Sequence, residues 1–144
     1  MYRIRVLSVA LFSCLLGSCG DADPVALVEV EPPANREIHM QPSFQLHIQE
    51  IFVRNNCTDC HGIGNGHLLL GPDAEANHMM LVNVPAYSEP KFLLVEPYDT
   101  VNSYLLMRLE NRQNVGPWMP IGVPLDGIDL GNIKNWVMNG APNN

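Results

Sequence analysis

The sequence predicts a mainly α domain, and three observations carry that expectation. Phe44, Ile48, Ile51, Phe52 and Asn55 recur at i, i+4, i+7, i+8 and i+11, one face of a helix. Ile133, Trp136, Val137 and Gly140 repeat that spacing near the end of the chain. Between them, residues 73–83 and 99–110 carry helix-spaced apolar side chains, the second stretch behind a capping residue.

Taken in order, the first helix is expected over 43–55, with Ser43 after Pro42 as its N-cap, and it leads directly into Cys57. A glycine-rich turn follows from Gly62 to Gly71 and contains Leu68-Leu69-Leu70. Residues 73–83 are expected to form a short helix with Ala76, Met80 and Leu81 turned inward. Phe92 to Val95 is a short apolar run ending at Pro97. Residues 99–110 read as a helix capped by Asp99 or Asn102, with Val101, Leu105, Leu106 and Leu109 on its apolar side. Gly116, Pro117, Pro120, Gly122 and Pro124 exclude regular structure over 111–125. Asp126 then caps the last helix, Asp129 stands in its first turn, and Gly140-Ala141-Pro142 stops it. No repeat of roughly 20–50 residues is present, so one folded unit is expected.

With 144 residues, 47% apolar and 16% charged, the chain has the composition of a globular domain rather than a disordered one. Its formal net charge is −7. Removing residues 1–18 takes away Arg3 and Arg5 but no acid, leaving −9. Such a surface does not suit nucleic acid, whose phosphates need a basic face. Nor does it suit direct docking onto anionic lipid.

The N-terminus reads as an export signal. Arg3 and Arg5 precede an apolar run from Val6 to Leu16, 11 residues long and too short to span a bilayer as a helix. Leu16-Gly17-Ser18-Cys19 follows directly and resembles a bacterial lipobox, which implies acylation of Cys19 after removal of residues 1–18. Residues 19–42, rich in acids and punctuated by Pro24, Pro32, Pro33 and Pro42, then form an extended tether. The folded domain is expected over 43–144. The expected location is the periplasm, or the extracytoplasmic face of a bacterial membrane.

Four cysteines are present: Cys14 is discarded with the signal and Cys19 takes the lipid. Cys57 and Cys60 remain, in the run Cys57-Thr58-Asp59-Cys60-His61. Two thiols at this spacing can meet two vinyl groups of one porphyrin, and the adjacent histidine then offers its imidazole to the iron. The pentapeptide reads as c-type haem attachment, with one covalent haem c as cofactor. A zinc site adding His67 and His78 is one alternative. A redox dithiol is another, although it calls for a βαβ context that is missing here.

Beyond the attachment motif, Phe52 and Trp136 match an aromatic pair between first and last helices, and Gly116-Pro117-Trp118-Met119-Pro120 matches a methionine loop. On these residues the domain from about 43 onward resembles a class I c-type cytochrome. The stretch from Asn102-Ser103-Tyr104-Leu105-Leu106 to Trp136-Val137-Met138-Asn139-Gly140-Ala141 is similar to monohaem domains attached to bacterial lipoproteins and enzymes. The resemblance implies a cytochrome c-like orthogonal helix bundle around one haem, with methionine as sixth iron ligand. Gly71-Pro72 is the candidate for the family's proline beside the haem histidine.

The sixth ligand can also be argued from the residues. Of seven methionines, Met1 is lost, Met40 lies at the edge of the tether, and Met79, Met80, Met107 and Met138 fall in expected helices. Met119 alone lies in a long irregular loop, stiffened by Pro117 and Pro120. His61 and Met119 are thus the expected metal ligands, His78 is the rival, and a five-coordinate iron stays open as well. Trp118, adjoining Met119, is the favoured haem contact. Tyr87, Tyr98, Tyr104, Arg108 and Arg112 are further candidates for the haem or its propionates, and Ile63, Pro117 and Ile121 are candidates for a docking patch.

These features point to electron transfer by a membrane-tethered monohaem cytochrome c, not to an enzyme. Redox proteins outside the cytoplasm are the implied partners, with the membrane reached through the lipid anchor. No small-molecule substrate is evident. The alternative is a haem-based gas or peroxide sensor, or a small haem enzyme, with an open sixth position.

Overall fold

The computed structural model describes residues 36–144. The expected signal peptide, Cys19 and most of the expected tether lie outside the described residues. Among the described residues the chain is mainly helical, with five α-helices and no strand: α1 (Gln49–Arg54), α2 (Cys57–His61), α3 (Ala74–Leu81), α4 (Tyr104–Leu109) and α5 (Gly127–Met138). Isolated pairings join Val82 to Val95 and Pro85 to Leu93, where the apolar run after α3 turns back on itself.

The first helix forms as its periodicity predicts. Ser43 caps it, accepting from the Leu46 amide, and a π-helical turn over Phe44–Ile48 runs straight into α1. Phe44, Ile48, Ile51 and Phe52 all face the core. Asp126 caps α5 by accepting from the amides of Ile128 and Asp129, and Ile133, Trp136 and Val137 are wholly buried. These two helical faces meet. The Trp136 ring, however, packs against Phe44 at 5.1 Å between centroids, and Phe44 lies edge-on to Phe52 at 6.4 Å. Phe44 thus stands between the two residues expected to pair. The reason is reach: the π-turn places Phe44 at the start of the buried stripe, beside the C-terminal half of α5.

Two shorter helices depart from expectation. On α3, capped by Asp73, the buried residues are Asn77 and Leu81, while Ala76 and Met80 are exposed. Asn77 goes inward because Gly71 and Gln49 supply its hydrogen bonds: it accepts from the Gly71 amide at 2.8 Å and donates to Gln49 Oε1 at 2.7 Å. Helix α4 begins at Tyr104, with Ser103 as N-cap. Asp99 instead caps a separate turn, accepting from the amides of Val101 and Asn102, and Val101 is exposed.

Residues 36–42 are not free of the domain. Asn132 accepts from the His39 amide at 2.7 Å and donates to the Glu37 carbonyl at 3.0 Å. Asn135 donates to the His39 carbonyl, and Asn139 to that of Met40. These asparagines lie at i, i+3 and i+7, one face of α5, and hold the preceding chain as an extended strap. The part of the expected tether that is described therefore belongs to the packed unit. Among the described residues, no helix is long and apolar enough to cross a membrane.

Candidate functional site

Cys57 and Cys60 stand on α2, one turn of helix apart, with His61 closing the same turn. The chain enters α2 through Asn56, a left-handed residue (φ +56°) that breaks the line from α1. After His61 it turns through Gly64 (φ +77°) and Gly66 (φ +68°), conformations that favour glycine. This tight loop returns the Asn65 carbonyl to His61 Nδ1 at 2.8 Å. The Leu70 amide donates to the His61 carbonyl at 3.1 Å. One ring nitrogen of His61 is thereby engaged by the backbone, and Nε2 remains for another partner.

These three residues line a cleft of about 940 Å³. Its walls are largely apolar, with Phe52, Leu68, Leu70, Leu81, Leu94, Leu105, Leu109 and Leu125 among them. Met119 lines the same cleft. The loop carrying it is fastened at several points. The Met119 amide donates to the Arg108 carbonyl at 3.0 Å. Arg108 Nη1 donates to the Val115 carbonyl at 2.8 Å, and the Tyr104 hydroxyl donates to the same oxygen at 3.2 Å. Asn114 Nδ2 donates to Glu89 at 3.0 Å. Gly116 allows the close pass, since a Cβ there would lie 2.2 Å from Arg108 Nη1.

Other expected residues are sorted by the same geometry. Tyr87, Tyr104, Arg108, Pro117 and Ile121 line the cleft, as does His67, whose ring stacks on Tyr87 at 3.5 Å. Trp118 does not: its indole N–H donates to the Leu109 carbonyl at 2.8 Å, so it braces the methionine loop from outside. Tyr98, Arg112 and Ile63 also lie off the cleft wall. Arg112 is bonded to Glu110 and to the carbonyls of Thr100 and Val101. His78 packs edge-on against Phe44 and bonds to the Ala141 carbonyl at 2.8 Å, away from the cleft.

The chemistry of the cysteines narrows the options. Burial pushes the Cys57 thiol up to about 11, with the Asp129 carboxylate acting in the same direction. An attacking redox thiol needs the opposite, a lowered value. His78, one of the four residues of the zinc alternative, is engaged by Phe44, Trp136 and the Ala141 carbonyl and does not line the cleft with Cys57, Cys60 and His67. Among the described residues no group of three or more histidines, cysteines or acids is placed to hold a metal.

Sequence reading missed Arg54 and Asn55, which also line the cleft, and the Asn65 carbonyl. Arg54 stands just before the motif and carried no pattern of its own, and Asn55 was read only as a position on the face of the first helix. The flanking Gly64 and Gly66 were the available signal for the loop that presents Asn65. No family model, curated protein or solved structure matches this chain.

Proposed function

We propose that this protein is a monohaem c-type cytochrome, tethered to a membrane through Cys19, that carries single electrons between redox proteins outside the cytoplasm. One observation carries the reading. A single apolar cleft of about 940 Å³ gathers Cys57, Cys60, His61 and Met119, although Met119 is remote in sequence. The volume falls at the upper end of the roughly 300–1,000 Å³ typical of sites for small organic ligands.

The residues fit haem c. Cys57 and Cys60 would hold it covalently, and His61 and Met119 would ligate its iron. When bound, haem c supplies an iron that gains and loses one electron. The chain's own groups do the rest. The Asn65 carbonyl takes His61 Nδ1–H and so directs Nε2 as ligand, fixing ring orientation and raising basicity. The thioether of Met119, a soft donor, favours the reduced metal and raises the potential relative to a second histidine. Arg108 places positive charge in the cleft wall, suited to carboxylate substituents. The apolar leucines exclude water, which disfavours the more highly charged state of a buried redox centre and so raises its potential.

The test is the protein made in a host with c-type haem maturation. Haem that survives acid-acetone extraction from the wild type, and is absent from a Cys57→Ala/Cys60→Ala variant, is the expected result. A wild type without covalent haem overturns the reading. Anchoring is read separately: Cys19→Ser should move the protein from the membrane to the soluble fraction. Carbon monoxide addresses the sensor alternative, because a His61/Met119 iron should resist it when reduced and an open position should not.

A further inference from the structure

We infer that Asp129 is a positioning residue for the attachment segment: acting through Arg54 and Asn55, it fixes the joint between α1 and α2 and hence the placement of Cys57. This rests on the haem reading of that segment. Asp129 lies in the first turn of α5 and is 1% exposed. Its Oδ1 accepts from Arg54 Nη2 at 2.5 Å and from Arg36 Nη1 at 3.4 Å. Its Oδ2 accepts from Asn55 Nδ2 at 2.8 Å. The same Asn55 nitrogen donates to the Ile51 carbonyl at 2.9 Å, tying the carboxylate to the last turn of α1.

The joint needs an external hold. Asn55 caps α1, Asn56 turns left-handed, and Cys57 opens α2. The continuous helical run before the joint, five residues of π-turn and six of α1, and the five-residue α2 after it are both too short to keep their shape alone. Within the turn, the Asn56 amide donates to the Val53 carbonyl and the Asp59 amide to that of Asn56. An acid in the first turn of a helix gains from the helix dipole while exposed and has no need of burial. A buried carboxylate is tolerated only when fully paired and hydrogen-bonded. Here two of its three donors come from the residues immediately before the cysteines. Arg54 is itself held at both Nη groups, by Asp129 and Glu50. Arg54 and Asn55 also form part of the cleft wall, so loosening the joint deforms the site.

The experiment uses the full chain from a haem-maturing host and reads amide hydrogen exchange over residues 54–61 together with covalent haem per chain. Asp129→Ala should speed exchange in that segment about tenfold or more relative to residues 133–138, and lower haem occupancy severalfold. Asp129→Asn and Asn55→Ala, each removing only part of the clamp, should give intermediate values. Val137→Ala, two turns further along the same helix, wholly buried and off the cleft wall, destabilises α5 and serves as the control. Unchanged exchange in all three joint variants overturns the inference. So does an equal rise over 54–61 in Val137→Ala at matched stability. Exchange is read whether or not haem is bound. Failure of the haem reading therefore shows as missing haem, and failure of this inference as unaltered exchange.

Discussion

His61 Nδ1 lies 2.8 Å from the carbonyl oxygen of Asn65, within a loop that closes on itself in four residues. That contact needs the two left-handed glycines on either side of Asn65. A Cβ at Gly66 would sit 3.6 Å from His61 Cε1, so space is adequate, but its φ of +68° is not suited to a side chain. Gly66→Ala should therefore cost about 1–2 kcal/mol through backbone conformation alone. Urea unfolding checks the cost. The same variant should carry less covalent haem, and a fully stable, fully loaded Gly66→Ala would count against the role given to the loop.

The contact between Phe44 and Trp136 joins the two ends of the folded unit. Trp136 is wholly buried, and its indole N–H donates to the Pro142 carbonyl at 3.0 Å. Trp136→Ala should cost about 3–5 kcal/mol, by lost burial and the cavity left behind. Met138→Ala, two residues on but half exposed, should stay within about 0.5 kcal/mol of wild type. The two denaturation midpoints decide it.

The strap on α5 gives a local prediction. Asn132 both accepts from and donates to the strap backbone, whereas Asn139 only donates to it. Asn132→Ala should cost about 1–3 kcal/mol, since it removes two part-buried hydrogen bonds to the strap. Asn139→Ala, at an exposed position, should cost less. Limited proteolysis should cut near residues 36–42 faster in Asn132→Ala than in wild type.

Acid should weaken the start of α5. The Asp126 carboxylate is held below the ordinary range, chiefly by the Asp129 amide and further by the Arg36 guanidinium. Its folded value lies below its unfolded value, so its stabilisation is present above the unfolded value, near pH 4, and is lost as pH falls through the folded one. Stability should thus drop as pH falls below about 4. Asp126→Asn should keep most of the cap and flatten that part of the profile. Urea midpoints at a series of pH values measure it.

Much of this was legible in the sequence. The Phe44–Phe52 face and the Ile133–Val137 face declared themselves because apolar spacing at 3.6 residues has one physical meaning. Ser43 and Asp126 could be read as caps for a similar reason. The Cys57–His61 run was plain, and Met119 stood out as the methionine outside any helix. What stayed hidden depends on partners distant in the chain. Asn77 turns inward only because Gln49 and Gly71 wait for it, and Asp129 only because Arg54 and Asn55 do. Trp118 adjoins Met119 in sequence, yet the Leu109 carbonyl draws its indole away from the cleft. Asn65 acts through its backbone, which no side-chain pattern reports.

The central claim is tested most directly by absorption spectra, oxidised and reduced, of the wild type and of Met119→Ala from a haem-maturing host. The account predicts covalent haem in both proteins. It also predicts a weak far-red iron–sulfur charge-transfer band in the oxidised wild type that Met119→Ala lacks. A wild type with haem but without that band would contradict Met119 as ligand, and a wild type with no haem would contradict the whole reading.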